Sequence, residues 1–426
     1  MTQDFRKIQP ARHEIESLKL IRPQSFVLDN GIPVYAIDAG SEDLIKLDLV
    51  FNAGSYFQPK PLMASLTNKC LQEGTKSFAS SEIAETVDFY GAYLRNAVSK
   101  DDARVSLYCL GRHFEKLLPV VKEVTLQPVF PENETGTIIA KSRHEYRVNM
   151  EKVKYAARLK FPGFLFGDAH PYATPLVEDD YKNLDTAALR DFHQDYYAES
   201  PFYILVSGQI PAGMDKLLNT HFGSHAVKEN HVKVRFPVPV TTPDKFQLIH
   251  KENALQSALR IGKVLFNKTH PEFIKMQVIN TILGGYFGSR LMTNIREDKG
   301  YTYGIGSMVT SLRHSGIFTI ASEVGTGVRE KAVDEVFKEI EKLGNETVPD
   351  EELKLVKNYL LGNFLRSADG PFALSEMVKS VVDYGFTMDY FDRFLDTVKN
   401  ITAKEIRDLA VKYLEPSTMV TLVVGK

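Results

Sequence analysis

Two stretches of this chain are copies of one another. Residues 183–208 read NLDTAALRDFHQDYYAESPFYILVSG, and residues 400–425 read NITAKEIRDLAVKYLEPSTMVTLVVG. They align without a gap, share eight identities, and exchange mostly apolar residues for apolar residues elsewhere. Each copy carries the pattern of a helix, a turn rich in Pro or Ser, and a strand that closes on Gly. The offset of 217 residues is close to half of the 426-residue chain. A repeat of a few tens of residues would indicate a solenoid; one this long indicates two related domains.

The plan extends upstream. Residues 329–343 place Val333, Val336, Phe337, Ile340 and Leu343 on one helical stripe, with Gly344 in a C-capping position. After Pro349, the acidic run Asp350, Glu351 and Glu352 suits the first turn of a second helix. The first half repeats this order, with a helix over 114–125, a loop holding Pro128 and Pro131, and a helix from about 133. Both halves also open with strands. Residues 26–39 carry an Asp29-Asn30-Gly31 turn between apolar runs, which predicts a hairpin. Residues 44–51 alternate apolar and polar, and 246–250 and 259–266 supply strands to the second half. Hairpins mixed with long helices predict an α+β chain of two homologous α/β-sandwich halves. Each half holds a largely antiparallel sheet packed with helices, and an approximate twofold relates them. The expected boundaries are 1–227 and 245–426, with a Val, Pro and Thr-rich linker over 228–244.

The composition excludes several partners. Hydrophobic residues make up 43% and charged residues 25%, as in a soluble globular protein. With 52 basic and 54 acidic side chains, the net charge of −2 leaves no footprint for nucleic acid or an anionic membrane. No stretch approaches the roughly 20 apolar residues of a membrane helix. Residues 1–18 are charged throughout and do not resemble a secretory leader, so a cytoplasmic location is expected, with the periplasm left open. Cys70 and Cys109 are the only cysteines, too few for a disulfide framework.

Several motifs together carry a resemblance. LDNGIPVYAID at 28–38, AGS at 53–55, a helix, and EGT at 73–75 resemble the start of the pitrilysin/insulinase zinc peptidases. The likeness is to their short bacterial members and to the mitochondrial processing peptidases. In that family, the helix before Gly-Thr carries His-x-x-Glu-His. The spacing puts the motif on Ser65, Asn68 and Lys69 here, and the family's third ligand on Glu145. Elementary chemistry agrees that this set is degenerate. Positions i, i+3 and i+4 share a helix face, but a Ser hydroxyl and an Asn amide are poor zinc ligands, and a protonated Lys has no lone pair. The general base is lost with the Glu. Lys69 is the cation expected to neutralise Glu145.

No other cluster replaces the site. The eleven histidines are scattered; Gly223 separates His221 from His225, His170 sits in a turn, and the His193 position is Ala410 in the second copy. Cys70 is expected to be a core residue. In contrast, LGGYFGSRLMTNIREDKGYTYGIGS at 283–307 resembles the family's second-half signature, in which an Arg and a Tyr seven residues later reach substrate. These are Arg296 and Tyr303. Both side chains donate hydrogen bonds that can hold a peptide carbonyl or an oxyanion. The bland alternative makes Arg296 a salt-bridged surface group and Tyr303 a core strand residue.

The resemblance therefore implies a non-catalytic subunit of a two-chain peptidase. It has no cofactor of its own, and zinc is expected in a homologous partner that acts on a peptide substrate. A scaffold or peptide-binding protein without catalysis is the alternative, and an independent hydrolase with a rebuilt site is a third.

Overall fold

In the computed structural model, residues 20–228, 237, 239 and 244–426 are described. The expected linker at 228–244 falls almost entirely outside them. The first half contains strands β1 (Gln24–Val27), β2 (Pro33–Asp38), β3 (Leu44–Phe51), β4 (Tyr93–Val98), β5 (Ala103–Leu110) and β6 (Phe202–Gly208). The second contains β7 (Phe246–His250), β8 (Gln256–Leu265), β9 (Thr302–Leu312), β10 (Ser315–Gly325) and β11 (Val420–Gly425). Helices α1 (Met63–Cys70), α2 (Ser80–Phe89), α3 (Gly111–Leu126), α4 (Glu132–Met150), α5 (Val153–Phe166), α6 (Thr186–His193) and α7 (Met214–Phe222) belong to the first half. Helices α8 (Phe273–Asn280), α9 (Arg329–Asn345), α10 (Asp350–Ser367), α11 (Pro371–Val382), α12 (Asp389–Asn400) and α13 (Ala403–Tyr413) belong to the second.

The sheets have the same topology. One runs β1-β2-β6-β3-β5-β4 and the other β7-β11-β8-β10-β9. Removing β1 leaves five strands in matching order. In each sheet one pair is parallel, β2 with β6 and β7 with β11, and the other neighbours are antiparallel. The register matches as well: Gly208 lies opposite Asp38, and Gly425 opposite His250. The repeated glycines have one physical cause. Their φ angles are +125° and +154°, and a Cβ on Gly208 would lie 2.0 Å from the Leu44 carbonyl oxygen. On Gly425 it would meet Ser257 Oγ at 2.5 Å. The neighbouring strand leaves no room for a side chain at either end.

The helices show how the halves join. Helix α5, from the first half, packs on β8 and β11 of the second sheet. Its Phe161, Leu165 and Phe166 form one buried cluster with Ala258, Leu422 and Val424. Helix α11 of the second half packs in turn on β2 and β6 of the first sheet, where Leu374, Met377 and Val381 share a core with Ile37, Val50 and Leu205. Equivalent helices are thus exchanged, as a pseudo-twofold requires. This covering explains β3, whose polar alternates do not face water. Lys46 and Asp48 are buried beneath α11, where Lys46 Nζ is 2.9 Å from Asp48 and 2.7 Å from Glu376.

The exchange makes a test. Leu165→Ala should cost about 2–5 kcal/mol, as for other buried Leu truncations. Amide exchange should accelerate in β11, which belongs to the other half. Acceleration confined to the first half would show that α5 does not hold the second sheet.

Candidate functional site

Helix α1 follows a left-handed residue, Leu62 (φ 73°), and packs against α4. Ser65 donates its hydroxyl back to the Leu62 carbonyl at 3.1 Å. Asn68 is buried and donates to the Tyr197 hydroxyl at 3.2 Å, while its own carbonyl accepts from Asn96 at 2.6 Å. Lys69 points the other way. Its Nζ is 3.1 Å from Ser142 Oγ and 3.9 Å from Glu145 Oε2. The structure therefore brings Lys69 and Glu145 to the edge of ion-pair distance. Both side chains are about half exposed, at 52% and 51%, so the pair is a solvent-facing one. The four positions do not fit zinc: one hydroxyl and one amide are engaged with protein groups, and the ammonium lies where a cation would be repelled. Among the described residues, no group of three or more His, Cys, Asp or Glu could hold a metal ion.

The remaining candidates have structural surroundings. Burial pushes the Cys70 thiol up to about 12, which leaves it protonated and unreactive. His221 lies on the last turn of α7 and His225 beyond its end, so they do not share a helix face. His170 is buried and stacks on Phe166, with the Tyr172 amide donating to its Nδ1. His193 is buried, and its Nε2 donates to the Thr125 carbonyl at 2.8 Å.

Arg296 and Tyr303 have no such anchoring. Arg296 sits in the π-helical turn Met292–Asp298. It has no salt bridge among the described residues; its guanidinium instead lies 4.5 Å over the Phe287 ring. π-Helical turns are rare and occur often at functional sites. Gly300, with φ +66°, turns the chain back into edge strand β9, where Tyr303 is 94% exposed. Between Arg296 and Tyr303 the chain thus ends a helical turn and returns as a strand. Among the described residues Arg296 has no ion pair, and Tyr303 lies on a strand but outside the core. Neither residue lines the cavity that Lys100, Lys268 and Arg313 share at the junction of the halves. Phe287 was missed by the sequence reading. An aromatic between the glycines at 285 and 288 was its only signal.

Two stability tests follow. Asn68→Ala leaves a buried Tyr hydroxyl without its partner and should cost about 1–3 kcal/mol. Lys69→Ala, at an exposed pair, should cost less than about 1 kcal/mol; the reverse order would contradict this division of the motif. The second test concerns acid. Burial pushes the His193 imidazole down from 6.5 to about 4. A depressed His binds protons less readily when folded, so its contribution is complete above pH 6.5 and is lost as pH falls toward about 4. His193→Gln should flatten the fall in unfolding free energy over that window. An unchanged pH slope would show that another group carries it.

Comparisons with known proteins bear on the fold and the family likeness. Residues 183–360 match the sequence model described as the peptidase M16 inactive domain. That match does not reach α1, so the loss of the metal motif rests on the residues themselves. The chain is 25% identical over 307 residues to the uncharacterized zinc protease YmxG of Bacillus subtilis, covering 70% of this chain and 72% of that protein. It is 21% identical over 395 residues to the non-peptidase homolog YmxG of Helicobacter pylori, covering 89% and 88%. In fold, it matches the peptidase M16 inactive domain structure from Pseudomonas fluorescens with a TM-score of 0.84 at 24% identity, over 95% of this chain and 98% of that one. A protease structure from Helicobacter pylori gives 0.85 at 17% identity, over 96% and 100%. Among the described residues, no helix is long and apolar enough to cross a membrane. Sequence and fold together show that the chain resembles the M16 (pitrilysin/insulinase) peptidases over nearly its whole length.

Proposed function

We propose that this chain is the non-catalytic subunit of a two-chain zinc-dependent peptidase. It contributes Arg296 and Tyr303 to a peptide held at the zinc site of a homologous partner. The observation that carries the proposal is the pair's freedom. Among the described residues, Arg296 has no carboxylate partner and is braced by an aromatic ring, and Tyr303 has its ring almost wholly in solvent. Braced cation–π geometry fixes the guanidinium plane while leaving its N–H groups free. Five guanidinium donors and one phenol can orient a peptide carbonyl and stabilise an oxyanion as charge develops. The names of two relatives, a zinc protease and a non-peptidase homolog, bracket such a role.

The second of those names also favours a scaffold or peptide-binding protein without catalysis, and one experiment separates the two readings. The chain is co-purified with a homologous chain that carries an intact His-x-x-Glu-His, and peptide cleavage is measured. Arg296→Ala and Tyr303→Phe should each lower turnover by about 10²–10³, the usual effect of removing one oxyanion donor, with assembly and the partner's zinc content unchanged. Wild-type turnover by both variants in intact complexes would leave this chain as scaffold alone.

A further inference from the structure

The tips of two equivalent hairpins meet between the halves, the β4–β5 turn and the β9–β10 turn. Beside them lies a cavity of about 480 Å³ lined by Lys100, Asp101 and Asp102 from the first half and by Lys268, Arg313 and Lys379 from the second. Its donors and acceptors do not balance. Each carboxylate there is already engaged. Asp101 accepts from the Tyr172 hydroxyl and the Arg313 amide. Asp102 accepts from Lys379, and Asp383 from Lys379, Arg313 and Tyr203. Glu376 accepts from Lys46 and Arg104.

The cations are not all engaged in the same way. Lys100 Nζ donates to the Tyr172 carbonyl at 3.0 Å, and Lys268 Nζ to the Ser380 carbonyl at 2.8 Å; neither has a salt bridge to a carboxylate among the described residues. An ammonium has three donors, so each keeps capacity to spare. Arg313 Nε is buried and has no hydrogen-bond partner among the described residues. Lys268 also lies 5.3 Å from the centroids of both Tyr384 and Tyr390, which brace it at the cavity wall. Burial pushes the Lys268 ammonium down to about 8, although the nearby Asp383 carboxylate opposes that shift without forming an ion pair with it.

We propose that this cavity binds a small oxyanion, a phosphate or carboxylate group, held by Lys100 from one half and by Lys268 and Arg313 from the other. Such an anion supplies the acceptors that the spare donors lack. Because its ligands come from both halves, it also clasps the junction at which they meet. The site is separate from Arg296 and Tyr303 and does not depend on the peptidase reading.

The full chain is titrated calorimetrically with inorganic phosphate and, separately, with succinate, at ionic strength held constant with sodium chloride. Saturable binding is expected, with a rise in Tm that follows occupancy; the tighter ligand identifies the group. Lys268→Met and Lys100→Met keep the aliphatic stems and should each weaken binding about tenfold or more, as expected for one charge-assisted hydrogen bond. If one variant fails to fold, the other decides, and the wild-type titration stands without either. Absence of saturable binding for both anions, or affinity unchanged in the folded variants, would overturn the proposal.

Discussion

Each sheet of this protein is covered by a helix from the opposite half, and the remaining architecture depends on that exchange. An α/β half whose sheet is buried on both faces cannot stand alone in water. The first half lends α5 to the second sheet and receives α11 on its own. Fully burying a Leu or Phe contributes about 1.5–3 kcal/mol relative to exposure, and several such side chains lie on each exchanged helix. Beside the apolar contacts, Arg313, Lys379, Asp102 and Asp383 form a partly buried ionic cluster in which the Lys379–Asp102 pair crosses between the halves and Asp383 accepts from Tyr203 of the first half. Desolvation raises the pKa of Asp383, but Lys379 and Arg313 outweigh it and hold the carboxyl below its ordinary value. Pairing of this kind adds less to net stability than apolar burial does. Its directionality instead fixes how the two halves are set against each other.

Within this near-symmetric frame the chemistry is asymmetric. The helix that would carry a metal motif in the first half has become structural. Asn68 holds Tyr197 in the core, Ser65 folds back on its own turn, and Lys69 and Glu145 meet near the surface. The second half has the opposite character. A π-helical turn, a left-handed glycine and an edge strand present an Arg with no ion pair among the described residues and an exposed Tyr. Phe287 holds the Arg296 guanidinium from one side at 4.5 Å.

Much of the fold was legible in the sequence because it is written in local periodicity. The Asp29-Asn30-Gly31 hairpin, the strand 44–51 and the paired helix–turn–strand copies each follow from residues within a few positions of one another. The exchange of α5 and α11 was not legible, since an apolar helix does not specify which sheet it will cover. The alternation of β3 carried the same ambiguity: Lys46 and Asp48 suggest a wet face until α11 and Glu376 close over them. At the site, the spacing of positions 65, 68 and 69 identified the degenerate motif. Their separate fates depended on Tyr197, Asn96 and Ser142, which are remote in sequence. The cavity between the halves had no sequence signal, because Lys100, Lys268 and Arg313 are ordinary residues until the fold brings them together.

The central claim is that the chain has lost its own metal chemistry and works only alongside a homologue that retains it. Zinc content and peptide cleavage, measured on the purified chain alone and on its complex with a His-x-x-Glu-His homologue, test this most directly. The account predicts neither bound zinc nor cleavage for the chain alone, and one zinc per pair of chains with cleavage in the complex. Stoichiometric zinc and chelator-sensitive cleavage by the isolated chain would contradict it.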